Sequence, residues 1–496
     1  MRLEGRKVIE AEEMVRIEKK SIRDGASDEG YMLEAGEGIG RRIETFIEQQ
    51  GRLKEVTFLV GKGNNGGDAF VAATFLIRRG FKVRAYTLVE AADCSPLCKK
   101  YEENFSRAGG KVMRGIVASP EGVIVDGLLG TGFRGKPEGP MLDLIRKANR
   151  SPLPVLSIDI PSGVDGNTGE VDPAAIYATE TLYLGLPKLG FFIGQGYDHI
   201  GRLSRVDFGM DPKYSSQARG TAYIVNESAM PHLLPPIQRV RHKYRAGYVL
   251  ALAGSPGMAG AAILASLAAL RSGAGIVRLF HPEGMENELV AAPLELIRNP
   301  YSPSNPSPVF EEAKRAKACL IGPGLGKSER IRTSVQAIVS QLNLPLVIDA
   351  DGLHHIKVFS KGAILTPHEN EMLQLLGREE LVHDDCQKFA DRNEVTIVLK
   401  GAPSWIFHPD TSPLIVPKGD PGMATAGTGD VLTGMITALL AQGLQGREAA
   451  TLGVYLHGTC GEIVATRQTS YNLIASDLIA ALPEAFQTLV ARLPRE

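Results

Sequence analysis

Residues 420–434, DPGMATAGTGDVLTG, join a polar glycine-rich loop to an apolar helical run, MITALLAQGL. Ala426, Gly427, Thr428 and Gly429 are small enough to let backbone N–H groups approach an anion closely. The helix that follows adds unpaired N–H groups and the positive end of its dipole. Asp430 sits where a simple phosphate cradle has no use for a carboxylate, because the two charges repel. An acid makes sense there as a base beside a phosphate in transfer. Taken alone, GTGD reads better as a helix start capped by aspartate, so the surrounding chain must decide.

A second polar loop, GKGNNGGD, follows the β-branched run 56–60 and precedes an apolar helical run. Strand, glycine-rich turn and helix form the context of a nucleotide loop. Gly61, Gly63 and Gly66 have the spacing of a dinucleotide fingerprint outside its usual register, and a Walker Lys-Ser/Thr is missing. Asn64, Asn65 and Asp68 offer amide and carboxylate groups to a ribose, a nicotinamide or a hard cation. A left-handed Asn/Gly turn is the plainer alternative, but it accounts less well for so many polar groups after a buried strand. Two further strands end in Asp126 and in Asp159 with Ser162. Ligands of an open parallel sheet gather outside the carboxyl ends of its strands. Asn65, Asp68, Asp126, Asp159 and Ser162 are therefore expected around one crevice.

The elements that must hold these residues follow from periodicity. Helices are expected at 11–20 and 31–49, the second on Leu33, Ile39, Ile43 and Ile47, with 21–30 as a polar loop. Strands are expected at 56–60 and 81–89 and from Val123 and Val155, with a helix around 98–107. The second half repeats strand, loop, helix. A strand at 248–255 leads to an alanine-rich helix at 259–271, and later strands end in the loop of Gly324, in Asp349 and Asp351, before His368 and Glu371, and in Lys400 and Gly401. A Pro- and Ser-bearing join at 209–222 separates two α/β domains, 1–215 and 216–496, each on a mostly parallel sheet.

With 496 residues, the chain is too long for one ordinary core. Lys+Arg 55 against Asp+Glu 56 leaves a net charge of −1, which gives nucleic acid or an anionic membrane no global attraction. Cysteines are five and scattered, and the charged amino terminus lacks an apolar stretch. A reducing, cytoplasmic setting is expected, with no membrane span. Cys94 and Cys98 stand four apart without a second ligand pair, so they read as ordinary thiols rather than a zinc site.

GKGNNGGD, VDGLLGTGFRG, DIPSGVDGNTGE and ETLYLGLPKLG together resemble the NAD(P)HX epimerase domain, the YjeF amino-terminal family. The resemblance implies a Rossmann-like three-layer fold that interconverts the R and S hydrates of NAD(P)H. It implies that Asn64, Asn65, Gly66, Gly67 and Asp68, with Gly130, Thr131, Gly132, Phe133, Arg134, Gly135 and Lys136, contact the hydrated cofactor. It further implies that Asn65, Asp126 and Ser162 hold K⁺ and that Asp159 works at the reacting ring. Ala69 stands where the family usually has a further glycine.

The second half carries GSPGMAGAAILASLAALRSGAG, IGPGLG, DADGL, LTPHENE, LKG and MATAGTGDVLTG in order. It resembles the ADP/ATP-dependent NAD(P)H-hydrate dehydratases of the ribokinase-like superfamily. That resemblance implies a ribokinase-like α/β fold and an anion hole of Gly427, Thr428 and Gly429. Asp430 would then take the proton of the C6 hydroxyl while that oxygen is phosphorylated, turning a poor leaving group into a good one. Lys400, Gly401, Ala402, Pro403 and Ser404 with Gly429 would contact ADP or ATP. Ala261, Gly324, His368 and Asp430 would contact the hydrate, and Glu371 would help hold Mg²⁺ through water. Related kinases have Asn at the place of His368, so their sugar contacts do not transfer; by itself His368 is also compatible with a satisfied surface residue. A homo-oligomer is implied as well. The rival is a small-molecule kinase of ribokinase class, for which the amino-terminal loops have no use.

Overall fold

The computed structural model describes every residue except Met1, Ala118, Arg134, Ala291 and 494–496. Two compact units emerge: Lys7–Ala222, and Tyr223–Glu496 together with Met1–Arg6.

The Lys7–Ala222 unit is built on a seven-stranded sheet. In spatial order its strands are Lys111–Arg114, Lys82–Thr87, Glu55–Val60, Val123–Gly127, Val155–Ile158, Glu180–Leu184 and Arg202–Val206. All neighbours run parallel. From Glu55–Val60 the chain winds outward one way, and from Val123–Gly127 it winds the other. The order therefore reverses between the strand before GKGNNGGD and the strand carrying Asp126, which is where such folds open their crevice. Central strands read as β-branched runs because both faces are covered: Val56, Phe58, Leu59 and Val60 are all at most 1% exposed. Helix Asn64–Arg78 packs on helix Asp28–Gln49 through small residues, and a Cβ on Gly36 or Gly40 would run into Val71 or Phe75.

The expected polar loop at 21–30 is shorter than its composition suggested. Helices occupy Ala11–Arg23 and Asp28–Gln49. Ser27 is the reason: its side chain accepts the Gly30 N–H at 3.0 Å and starts the second helix early. The strand expected at 81–89 runs only over Lys82–Thr87, and the one at 248–255 stops at Leu252, because the polar loops begin there. Strand Lys111–Arg114 and the outer strands Glu180–Leu184 and Arg202–Val206 were not expected as such.

The second unit is built on an eleven-stranded sheet. Seven neighbouring strands are parallel: Thr396–Leu399, Ile364–Leu365, Leu346–Ile348, Ala318–Ile321, Tyr248–Leu252, Ile276–Pro282 and, at the edge, Ile297–Tyr301. Order reverses here between Tyr248–Leu252 and Ala318–Ile321. Ser404–Phe407 and Leu414–Val416 extend the sheet antiparallel, and Ala222–Val225 and Glu4–Val8 complete that edge. Residues before position 7 thus belong to the later unit and not to a domain beginning at residue 1. Leu3 is 5% exposed in the later core, and Glu4 pairs with Arg447 at 2.7 Å. Over the sheet, helix Thr428–Ala441 lies against the alanine-rich helix Ala259–Arg271 at its expected bounds. No helix among the described residues is long and apolar enough to cross a membrane.

Candidate active sites

In the Lys7–Ala222 unit, the GKGNNGGD loop is tight for steric reasons. A Cβ on Gly61 would strike the Leu128 carbonyl, and one on Gly66 would strike the Gly61 carbonyl. Helix Asn64–Arg78 begins at once, with Gly63 as its N-cap and no side chain on its first N–H groups. Asn65 donates through Nδ2 to the Leu129 carbonyl at 3.0 Å. Asp126 is fully buried and accepts from Ser157 Oγ at 2.9 Å, Ser162 N at 2.9 Å, Ser162 Oγ at 2.5 Å and Leu128 N at 3.3 Å. Burial pushes its carboxyl above the usual range, although the Ser162 and Ser157 bonds pull against that. Ser162 Oγ also accepts the Leu129 N–H at 2.9 Å. Asn65 and Ser162 thus both bond Leu129, and Asp126 joins them through Ser162. Their amide, carboxylate and hydroxyl oxygens, with the Leu129 carbonyl, form a hard donor set of one negative charge, which fits a monovalent cation.

Beside them a cavity of about 170 Å³ is lined by Gly130, Thr131, Phe133, Gly135 and Lys136 from one loop and by residues 160–172 from the other. Lys136 is paired with Asp172. Gly132 is exposed and does not line the cavity. Arg134 lies outside the described residues.

Asp159 is a non-glycine residue at φ 61°, held there by its surroundings. Its Oδ1 accepts the Leu184 N–H at 3.1 Å and the ammonium of Lys188, whose side chain is wholly buried. Asp68 is only 6% exposed and has no hydrogen-bond partner among the described residues. Burial, then Asp159, then Glu18 push its carboxyl well above the usual range. Glu18, from helix Ala11–Arg23, is pushed up to about 7 by burial first and then by Asp159 and Asp28. One paired carboxylate thus stands among acids that favour their protonated form, a division suited to proton traffic. Glu18 and Lys188 were not picked out from sequence. A lysine inside the apolar run GLPKLGFF signals a buried partner; Glu18 shares a helix with Met14, Ile17 and Ser21, which are buried.

In the second unit, Asp430 is not the N-cap of its helix. Gly427 is, at φ 91°, with no side-chain cap, and Asp430 lies in the first turn of Thr428–Ala441. Its carboxylate has no hydrogen-bond partner among the described residues. Burial and then Asp349 raise it to about 7, against the pull of Lys400. Lys400 Nζ lies 2.6 Å from Asp349 Oδ1 and 3.8 Å from Glu371 Oε2. Burial works against that ammonium, but Asp349 and Glu371 outweigh it and hold it above its ordinary range. The ammonium lies 3.3 Å from where a Gly429 Cβ would be, so cation and helix N–H groups face the same space.

Gly401, Ala402, Pro403 and Ser404 form the turn after Lys400, with Ser404 Oγ donating to the Gly401 carbonyl at 3.2 Å. Gly324, at φ 63°, brings its loop onto Ala261, with 3.1 Å between a would-be Cβ and that of Ala261. His368 is already employed: Nδ1 accepts the Glu371 N–H at 3.3 Å, and Glu371 Oε2 accepts the His368 N–H at 2.8 Å. TPHENE is thus a reciprocal cap of helix Glu369–Leu376, with the imidazole 53% exposed. Glu371 keeps carboxylate oxygens toward Lys400, a single hard ligand of the kind Mg²⁺ shares with phosphates and water. His457 was not expected here. Its Nε2 meets the Thr428 carbonyl at 2.9 Å, and burial pushes the ring down to about 4.

Residues 249–484 match the family model of the NAD(P)H-hydrate dehydratase, and residues 29–190 match that of the YjeF-related protein N-terminus. The chain is 32% identical to the bifunctional NAD(P)H-hydrate repair enzyme of Moorella thermoacetica, over 92% of each chain. It is 34% identical to the enzyme of the same name from Escherichia coli, over 86% of this chain and 83% of the relative. Among solved structures, a protein of Streptococcus mutans shares the fold at a TM-score of 0.50 and 24% identity, over 54% of this chain and 99% of that one.

Proposed function

The chain belongs to the family of bifunctional NAD(P)H-hydrate repair enzymes, and we propose that its two sites carry out two consecutive repairs. The Lys7–Ala222 site interconverts the R and S hydrates of NAD(P)H. The later site dehydrates the S hydrate to NAD(P)H and spends a phosphoryl group of ADP or ATP to do so. One observation carries the reading: Asp430, without a hydrogen-bond partner among the described residues and raised to about 7, lies in the first turn of a helix whose open N–H groups and Lys400 face one space.

In the second reaction the C6 hydroxyl gives its proton to Asp430 as its oxygen bonds to the terminal phosphorus of the nucleotide. Gly427, Thr428 and Gly429 hold the transferred oxygens, and Lys400 balances their charge. Loss of phosphate, with the C5 proton, then restores the dihydronicotinamide. Ala261, Gly324 and His368 border the hydrate, and Lys400, Gly401, Ala402, Pro403, Ser404 and Gly429 border the nucleotide. Glu371 would hold Mg²⁺ through water, where it would neutralise phosphate charge.

In the first reaction Asp159 moves protons at the hydrated ring while Asn64, Asn65, Gly66, Gly67 and Asp68 and the loop of Gly130 to Lys136 hold the cofactor. Asn65, Asp126 and Ser162 would hold K⁺, which would fix the Leu129 peptide between the two loops. A homo-oligomer in the reducing cytoplasm completes the reading, in keeping with five free cysteines.

The test supplies mixed R and S hydrates with ADP or ATP and follows the return of NADH absorbance. Full return with wild type is expected, against return of only the S fraction with Asp159→Asn. No return with either nucleotide would sink the proposal, and a stable phosphate ester in its place would favour the kinase alternative.

A further inference from the structure

DADGL supplies two aspartates to which the functional reading gives no role. Asp349 ends strand Leu346–Ile348 and is 1% exposed. Its Oδ1 accepts Lys400 Nζ at 2.6 Å and the Ala350 N–H at 2.8 Å. Its Oδ2 accepts Thr433 Oγ1 at 2.6 Å. Thr433 is one turn along the helix that carries Asp430. The carboxylate therefore joins three elements: its own strand, the end of Thr396–Leu399, and helix Thr428–Ala441.

The backbone is shaped to put it there. Ala350 has φ 48°, a positive value that non-glycine residues rarely adopt. That turn aims its N–H back at the Asp349 carboxylate. Gly322 of IGPGLG, at φ 131°, lies so close to the Asp349 carbonyl that a Cβ would collide with it. Asp351, two residues on, accepts the Gly326 N–H at 2.9 Å and ties the same loop down.

We infer that Asp349 is a positioning residue for phosphoryl transfer: it keeps the Lys400 ammonium over Gly429, at the anion hole, and away from Asp430. The inference rests on the functional reading above. Three carboxylates, those of Asp349, Glu371 and Asp430, act on one lysine in this space, and Asp349 makes the short contact. A Lys400 free to pair with Asp430 would stabilise the aspartate anion, weaken it as a base and leave the phosphoryl group without its cation. With Lys400 anchored on Asp349, the Asp430 carboxylate stays unpaired and basic. The groups acting on Asp430 are few. Asp349 and Asp351 raise it, Lys400 lowers it, and His457 from helix Gly446–Arg467 is held neutral against the Thr428 carbonyl.

The experiment uses the full chain with Asp349→Asn and Thr433→Val, each near-isosteric. NADH return from S-NADHX is followed with ADP or ATP between about pH 5 and 9, a range that brackets a base near neutrality. Asp349→Asn is expected to lower kcat about 10²-fold, as loss of one positioned charge at a transferring group does. It should raise KM for the nucleotide, leave KM for the hydrate within about twofold, and shift the acid limb of kcat down by about one pH unit. Thr433→Val keeps both charges and should lower kcat about tenfold with the limb in place.

Wild-type kcat and limb in Asp349→Asn would overturn the inference. So would a parallel fall of kcat and both affinities with a lowered melting temperature, which is the signature of a merely structural residue. If Asp349→Asn does not fold, wild-type kcat in Thr433→Val overturns the inference by itself. A wild-type protein that returns no NADH overturns the functional reading first, and this inference with it.

Discussion

Asp430 shows how one residue's surroundings set both its chemistry and its cost. Its carboxyl moves from 3.8 to about 7 on folding. The folded state therefore binds this proton more tightly than the unfolded chain. Stability from the protonated form is complete below about 3.8 and is lost as pH rises through about 7. Asp430→Asn should accordingly melt higher than wild type at about pH 8 and level with it at about pH 4, by calorimetry. The same variant should lose about 10²–10⁴-fold in dehydration, the usual worth of a general base. In wild type, kcat should rise with pH through about 7 as the base ionises. Lys188 invites a second test. Lys188→Met leaves Asp159 buried without its partner and should cost about 3–5 kcal/mol in denaturant unfolding of its unit. Adding Asp159→Asn should recover most of that stability but no epimerisation, while dehydration of the S hydrate continues in both variants. Asp430 and Asp159 were legible because each follows or opens a glycine-rich loop at a strand or helix end. Lys188 and Glu18 act through burial and through partners far along the chain, which residue types alone do not reveal.

Elements were more legible than their ends. Helix Ala259–Arg271 has the bounds its alanine-rich run suggests, because small side chains suit a buried face at close range. His368 looked like a ligand from its place after a strand, yet the structure also makes it half of a reciprocal cap with Glu371. Short strands such as Ser404–Phe407 and Leu414–Val416 escaped notice because their antiparallel pairing departs from the strand-loop-helix rhythm. Helix Thr428–Ala441 approaches its neighbour closely at one glycine. A Cβ on Gly434 would strike the Ala265 carbonyl of the neighbouring helix. Gly434→Ala should therefore cost about 1–3 kcal/mol, the penalty of an overpacked contact. Because this helix carries Asp430, kcat for dehydration should fall as well, and epimerisation should not change.

At the scale of the molecule, each sheet reverses its strand order beside its candidate site, whereas the motifs alone indicated only strand-loop-helix units on mostly parallel sheets. The domain boundary was less legible. Composition placed it inside 209–222, but the compact units divide after Ala222, and residues before Lys7 join the later unit. Nothing local announces that pairing: no strand was expected at Glu4–Val8 or at Ala222–Val225. Its consequence concerns order in time. The Asn226 side chain bonds the Arg2 carbonyl across 224 positions, and Glu4 meets Arg447 across 443. At a synthesis rate of about 5–20 residues per second, the first strand leaves the ribosome roughly 10–45 s before Asn226 and about twice that before Arg447. During that interval the Lys7–Ala222 sheet can close on strands already made, while the segment just ahead of it stays unpaired. The residues just ahead of Lys7 are thus among the last to find their place.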